Sequence, residues 1–149
     1  MAKHKQIAVM MLALLLSSLI LIGCSASKGS VEVKQGMAPG KNVDLSQMDH
    51  QNVTGQTVDA NGKAVKIKGE GVLVSDVLHA GGVEATFIGD IKAESRDGNT
   101  VEITGSELNM ANKTFLIQQD DGSWDLVILG DASDGCILKD TVLLHAENM

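Results

Sequence analysis

Apolar and polar residues alternate along much of the chain after residue 50, which is the pattern of half-buried β-strands. Residues 53–58 and 64–68 both follow this period of two, and Asp-Ala-Asn-Gly at 59–62 separates them. Period-two segments joined by an Asn-Gly turn indicate a β-hairpin. Residues 88–95 and 100–104 repeat the arrangement around an Asp-Gly turn and predict a second hairpin.

Two further strand signals follow toward the C-terminus. Residues 114–118 and 124–129 flank the turn Asp-Asp-Gly-Ser at 120–123, which predicts a third hairpin. Residues 136–144 are predicted to form the last strand, and the charged pair Lys139-Asp140 interrupts it.

Between residues 71 and 83 the period changes from that of a strand to that of a helix. Apolar residues stand at i, i+1, i+4 and i+5 counted from Leu73, so one helical face is apolar. Gly81 and Gly82 then supply a left-handed stop. A helix of about two turns is too short to be stable alone, so we expect it to pack on a sheet. Residues 106–110 are compatible with one loose helical turn.

These elements predict an α+β fold in which one mixed or antiparallel sheet, flat or rolled, carries a short helix on one face. Residues 43–149 are expected to form this single domain, because the length is close to the usual domain size. Residues on the apolar phase of each segment should be buried: Leu73, Val77, Leu78, Ile91, Val101, Ile103, Leu116, Val127, Leu129 and Val142.

The first 24 residues carry a separate signal. A basic start precedes an apolar run at 7–22, as in a secretion signal. Leu-Ile-Gly-Cys at 21–24 resembles the lipobox of bacterial lipoproteins, in which the cysteine is acylated and cleavage falls just before it. We therefore expect residues 1–23 to be a lipoprotein signal peptide and Cys24 to anchor the protein to the bacterial cell membrane, outside the cytoplasm. A plain transmembrane anchor is the alternative.

Residues 24–42 are predicted to be the lipidated cysteine followed by a flexible tether and an irregular lead. Small polar residues follow Cys24, and they cannot bury enough apolar surface to fold. Gly36, Pro39 and Gly40 break regular structure further along.

Composition excludes several classes of partner. The chain has a net charge of −7, which becomes −9 without the two leader lysines, so phosphate-rich nucleic acid and charge-driven lipid binding are not expected. One Trp, two Phe and no Tyr argue against stacked bases or sugar rings. Cys136 is the only thiol besides Cys24, which leaves no disulfide or zinc pair in the mature chain; we expect a small core residue there.

Histidines and carboxylates are too scattered to predict a catalytic or metal site. His50, His79 and His145 lie far apart in the sequence, and the carboxylates at 120–134 lack the spacing of a calcium loop. We therefore predict no catalytic residue, no metal ligand and no bound cofactor.

Several motifs occur in a recognisable order. They are Gly-Val-Leu-Val-Ser-Asp-Val-Leu-His-Ala-Gly-Gly-Val at 71–83, Ser-Arg-Asp-Gly at 95–98, Val-Glu-Ile at 101–103, Glu-Leu at 107–108 and Trp-Asp-Leu-Val-Ile-Leu-Gly at 124–130. In this order they resemble the oxidoreductase molybdopterin-binding domain of the sulfite oxidase family, over roughly residues 53–144. The resemblance implies a sulfite-oxidase-like fold and a molybdenum cofactor.

The chain departs from that family at the groups that hold the cofactor. In the family a cysteine ahead of the first motif gives its thiolate to molybdenum, and basic side chains grip the pterin phosphate. Here residues 53–70 contain no Cys, and Arg96 is the only Arg. A shortened, non-catalytic relative of this domain is therefore the preferred interpretation.

A second resemblance competes with the first. Soluble β-grasp ligand-binding domains of exported proteins share the patterns seen at 53–58 and 74–83. Under either resemblance we expect a module that binds a small ligand or an extracytoplasmic protein at the open end of the sheet. Val72, Arg96 and Asp97 are the residues expected to line a cleft there. A molybdenum-cofactor oxidoreductase and a purely structural surface lipoprotein are the alternatives.

Overall fold

The computed structural model describes residues 28–84 and 89–147. The signal peptide and the acylated Cys24 predicted from the sequence lie outside these residues. Within them the chain is α+β, with two sheets, two short α-helices and one turn of 3-10 helix at Leu45–Gln47. The strands are β1 (Ser30–Gln35), β2 (Lys41–Asp44), β3 (Gln51–Val58), β4 (Ala64–Leu73), β5 (Ile91–Ser95), β6 (Thr100–Ile103), β7 (Thr114–Gln118), β8 (Trp124–Ile128), β9 (Cys136–Leu138) and β10 (Thr141–Ala146), and the helices are α1 (Val74–Ala80) and α2 (Gly105–Asn109).

The first sheet has the strand order β2-β1-β10-β5-β6. β1 pairs in parallel with β10, and the other neighbours are antiparallel. The prediction that residues 24–42 form a tether and an irregular lead is wrong at β1 and at the start of β2, because Val31 and Val33 alternate with polar residues and are buried in this sheet. The partner of β1 is the last strand of the chain, so its pairing leaves no local turn signal in the sequence.

The second sheet is antiparallel throughout, in the order β3-β4-β7-β8-β9. It is rolled, so that β3 approaches the far side of the sheet. The Thr57 hydroxyl donates to the carbonyl oxygen of Ile128 at 2.7 Å, and the Gly130 N–H donates to that of Gln56 at 2.8 Å. These bonds bring the two ends of the sheet together.

The prediction of a single sheet is wrong, and the charged pair at residues 139 and 140 is the reason. The predicted last strand, 136–144, is two strands: β9 belongs to the second sheet and β10 to the first. Asp140 stands between them with a left-handed φ of 50°, and its N–H donates to the Asp125 carboxylate at 2.9 Å. The interruption is therefore a corner at which the chain changes sheets.

Two separate cores hold these layers together. The intersheet core contains nineteen buried residues from both sheets and α1, among them Ile91, Leu116 and Leu144. The inner core lies on the concave face of the rolled sheet and contains only Val53, Phe115, Ile117 and Val127 as buried side chains, with half-buried neighbours at Ile67, Leu73, Leu129 and Ile137. Alternate residues of β7 and β8 therefore serve different cores.

The amphipathic helix predicted within 71–83 is confirmed at Val74–Ala80, whereas residues 71–73 belong to strand β4. Val74, Val77 and Leu78 are buried, and the chain leaves the helix through Gly82, whose φ is 94°. A reciprocal pair of hydrogen bonds between Thr104 and Glu107 caps α2, which satisfies amide groups at its start. In the described part of the chain, no helix is long and apolar enough to cross a membrane.

Six of the ten residues predicted to be buried are buried: Val77, Leu78, Ile91, Ile103, Leu116 and Val127. The other four are half-buried, because they stand where strands end or lose regular pairing. Leu73 ends β4 and Leu129 follows β8, while Val101 is on the edge strand β6. Val142 lies where the register of β10 shifts against β5.

Candidate functional site

A cleft of about 480 Å³ opens between the edge strands of the two sheets. β6 is the edge of the first sheet, β9 is the edge of the second, and the turn after β3 closes one side. Its volume is in the range of small-ligand sites. The walls are mostly apolar and the charged groups stand in the adjoining turns; the lining residues are Val58, Asp59, Ala60, Asp97, Asn99, Thr100, Val101, Gly135, Cys136, Ile137, Leu138 and Lys139.

The turn between β5 and β6 supplies Asp97 and Asn99 to this cleft. Gly98 has a φ of 85°, which a residue with a side chain rarely adopts, and this explains the Asp-Gly sequence. The Asn99 N–H donates to the Ser95 hydroxyl at 3.1 Å, and the Asn99 carbonyl accepts from the Ser95 N–H at 2.9 Å. The turn is therefore fixed on the end of its sheet.

Arg96 lies beside the cleft, and its hydrogen bonds stabilise the cleft margin. Its Nε donates to the Asp140 carboxylate at 2.9 Å, and its backbone N–H donates to the Asp140 carbonyl at the same distance. These bonds join the β5–β6 turn to the corner at which the chain changes sheets. Arg96, which was expected to line a cleft, therefore forms an ion pair with Asp140 at the cleft margin.

Asp125 binds Asp140 on the side away from Arg96 and also stabilises this corner. Its carboxylate accepts the Asp140 N–H at 2.9 Å and is about half-buried. Burial raises the pKa of Asp125, and the hydrogen bond from Asp140 partly opposes that rise. The corner between the sheets is therefore held by a carboxylate in an environment that disfavours its charged form.

Cys136 contacts both the intersheet core and the cleft. It packs against the intersheet core, as the sequence predicted, and it also lines the cleft. Desolvation raises the pKa of its thiol, and Glu107 adds to the effect. A raised pKa keeps the sulfur protonated at neutral pH, and a protonated sulfur is a poor nucleophile and a poor metal ligand.

Val72 is the one cleft candidate that the structure places elsewhere. It pairs with Leu116 between β4 and β7 and is 1% exposed, inside the intersheet core. The reason is that residues 71–73 belong to strand β4 and not to the start of the helix. Of the three predicted cleft residues, Asp97 lines the cleft, Arg96 adjoins it and Val72 does not reach it.

A smaller pocket of about 210 Å³ lies between the two helices. Asp76, His79 and Glu84 are among its lining residues. The other two histidines of the described chain bind backbone oxygen: His50 contacts the Leu45 carbonyl at 2.8 Å and His145 contacts the Gly36 carbonyl at 3.0 Å. Across residues 28–84 and 89–147, no three His, Cys, Asp or Glu side chains converge as a metal site would require.

The residues present do not fit the molybdenum cofactor that the family resemblance implies. The β3–β4 hairpin, where the thiolate ligand would stand, carries no Cys. Cys136 is on β9, where burial favours its protonated form. Arg96, the residue type best suited to a phosphate group, is paired with Asp140.

No protein-family model matches this chain, and no curated protein shows significant similarity to it.

Proposed function

We propose that this protein is a lipoprotein, anchored to the outer side of a bacterial cell membrane through acylated Cys24, whose folded part is a non-catalytic binding module. The observation that supports the binding role best is the cleft between β6 and β9, which has the volume of a small-ligand site and lies between the edge strands of the two sheets. Apolar walls from Val101, Ile137 and Leu138 would contact the body of the ligand.

The charged groups of the cleft indicate the class of ligand. Asp59 and Asp97 contribute two carboxylates and Lys139 one ammonium group. The balance is negative, so a neutral or cationic small molecule with an apolar portion fits better than an anion. A protein segment bound along the free edge of β6 is the second form that a ligand of this module can take.

The family origin is also part of this proposal. The order of hairpin, short helix, hairpin, capped turn and hairpin follows the order of the motifs that resemble the sulfite oxidase family. The two sheets differ from the β-grasp alternative, in which one sheet wraps one helix, and they are compatible with the α+β class of this proposal. The proposal is a domain of that descent that binds without redox chemistry.

The anchor is tested by labelling cells with palmitate. The full chain should incorporate label and be cleaved before Cys24, whereas Cys24→Ala should remain an unlabelled precursor. Label on the Cys24→Ala protein would contradict the predicted acylation site.

The cleft is tested by thermal shift with a panel of cationic and neutral metabolites. A specific ligand at about 100 times its dissociation constant should stabilise the fold by roughly 2.7 kcal/mol. Val101→Trp should remove the shift by filling the cleft, and Lys66→Trp, on an exposed face of β4, should keep it. A ligand that shifts both variants equally would place binding elsewhere.

The non-catalytic part is tested by metal analysis. Protein made in a host that synthesises the molybdenum cofactor should carry no molybdenum and should neither oxidise sulfite nor reduce sulfoxides. Stoichiometric molybdenum that is lost in Cys136→Ser would instead support the oxidoreductase alternative.

A further inference from the structure

The described chain begins at a fixed place on the fold. The Lys28 ammonium donates to the Asp121 carbonyl, in the turn between β7 and β8, at 3.3 Å. The Gly29 carbonyl accepts the Leu45 N–H at 3.0 Å, and Ser30 pairs with Asp44. The chain therefore enters the domain beside the β7–β8 turn.

Covalent reach limits how far this entry point can be from an acyl anchor. Cys24 precedes Lys28 by four residues, which span at most about 14 Å when fully extended. If Cys24 carries lipid, the bilayer surface lies within that distance of Lys28.

The side of the cleft formed by Asp97 and Lys139 is at this same end of the molecule. In the first sheet Glu32 pairs with Leu143, and Thr141 pairs with Ser95. The start of β1 is thus about level with the end of β5, two strand spacings or roughly 10 Å away. The turn after β5 carries Asp97 onto the cleft margin.

We propose that the end of the fold formed by Lys28, the β7–β8 turn and the β5–β6 turn faces the membrane, so that the cleft opens toward the lipid headgroups. This inference rests on the proposed anchor at Cys24. Its ligand would then reach the cleft from the membrane surface, as a lipid or as a molecule held at the headgroups.

Negative charge at this end of the fold should keep it at a distance from an anionic bilayer. Asp97, Asp120 and Asp121 are exposed there, and hydrogen bonds from Ser123 lower the pKa of Asp121, which keeps it ionised. Anionic headgroups repel such a surface over a screening length of about 8 Å at physiological salt. The tether is longer than this length, so the protein can stand off the surface with the cleft accessible.

The test places one fluorophore at a time on the acylated full-length chain. In a Cys136→Ser background, Asp120→Cys and Asp97→Cys mark the proposed membrane side, and Met37→Cys marks the opposite end of β1, roughly 20 Å away along the strand. The proteins are placed in phosphatidylethanolamine–phosphatidylglycerol vesicles that contain lipid spin-labelled at the headgroup. Unfolding curves and mass spectra confirm that each variant is folded and acylated.

Spin label should reduce the fluorescence at residues 120 and 97 and leave residue 37 almost unchanged. Equal quenching at all three positions of an acylated protein would overturn the orientation while leaving the anchor intact. Quenching at 120 without quenching at 97 would overturn the part that concerns the cleft. A wild-type chain that carries no acyl group would remove the anchor and the orientation together.

Discussion

The intersheet core and the inner core of the rolled sheet differ in the size of the residues that fill them. The intersheet core is filled by aliphatic side chains and Trp124, which come from both sheets and a helix, and Leu144 and Ile91 are fully buried in it. The inner core has four buried side chains, and Gly55, Gly69 and Gly71 stand on the face that encloses it. Large side chains stabilise the intersheet core, whereas the inner core can close only because glycines without side chains face it. Removing atoms should therefore damage the first core and adding atoms should damage the second.

The largest effect is expected from Leu144→Ala. Leu144 is 0% exposed on β10, the central strand of the first sheet, so truncation leaves a cavity that the two neighbouring strands cannot close. The expected loss of unfolding free energy is about 2–5 kcal/mol, measured by urea denaturation. Leu129→Ala, at a half-buried position of the inner core, is the matched control and should cost less.

Gly71→Ala tests the opposite sensitivity of the inner core. A Cβ at this position would lie 2.7 Å from Ile117 Cδ1 and 2.8 Å from the Leu116 carbonyl oxygen, and the carbonyl belongs to a paired strand. The expected destabilisation is about 1–3 kcal/mol, from overpacking. Gly69→Ala would meet only a side-chain methyl at 3.1 Å, so its unfolding midpoint should fall less. Equal effects of the two substitutions would show that backbone clash is not the limiting factor.

The same contrast separates what the sequence could predict from what it could not. The three hairpins and helix α1 were predictable, because their partners are adjacent in the chain and their turns carry Asn-Gly or Asp-Gly. The pairing of β1 with β10 was not, because nothing local links Val33 to Leu144. A cleft lined by Asp97 was predicted, but its β9 wall was missed for the same reason, since β6 and β9 are edge strands of two different sheets. Asp97 was found through its turn motif, whereas the partner of Arg96 is 44 residues away.

Two buried threonines provide a third test, with effects of opposite sign. The Thr57 hydroxyl donates to Ile128 and lies 3.2 Å from the Cys136 carbonyl, where it holds the rolled sheet closed. The Thr114 hydroxyl is buried on β7 and has no hydrogen-bond partner among residues 28–84 and 89–147. Thr57→Val should destabilise the fold by about 0.5–1.5 kcal/mol, because it removes the hydrogen bonds that join β3 to β8 and β9.

Thr114→Val, which removes an unpaired polar group at nearly constant shape, should be neutral or stabilise the fold by about 1 kcal/mol. Urea midpoints of both variants against the wild type give the comparison. If both variants lost stability equally, Thr114 would have to donate to a partner in solution.

The smallest effect concerns the corner that joins the two sheets, and it depends on pH. Burial raises the pKa of Asp125 in the folded state, so folding favours its protonated form. The stability that comes from this carboxyl is present below its unfolded pKa and is lost as the pH rises through the folded value. At neutral pH the ionised Asp125 therefore costs stability.

Asp125→Asn should raise the urea midpoint at pH 7, because an amide oxygen can still accept the Asp140 N–H. The advantage should shrink as the pH falls through the raised pKa of Asp125, because the wild-type carboxyl is then protonated as well. Asp120→Asn, on an exposed turn, controls for the change in net charge. A variant that is less stable at pH 7 would mean that the charged form strengthens the Asp140 bond by more than its desolvation costs.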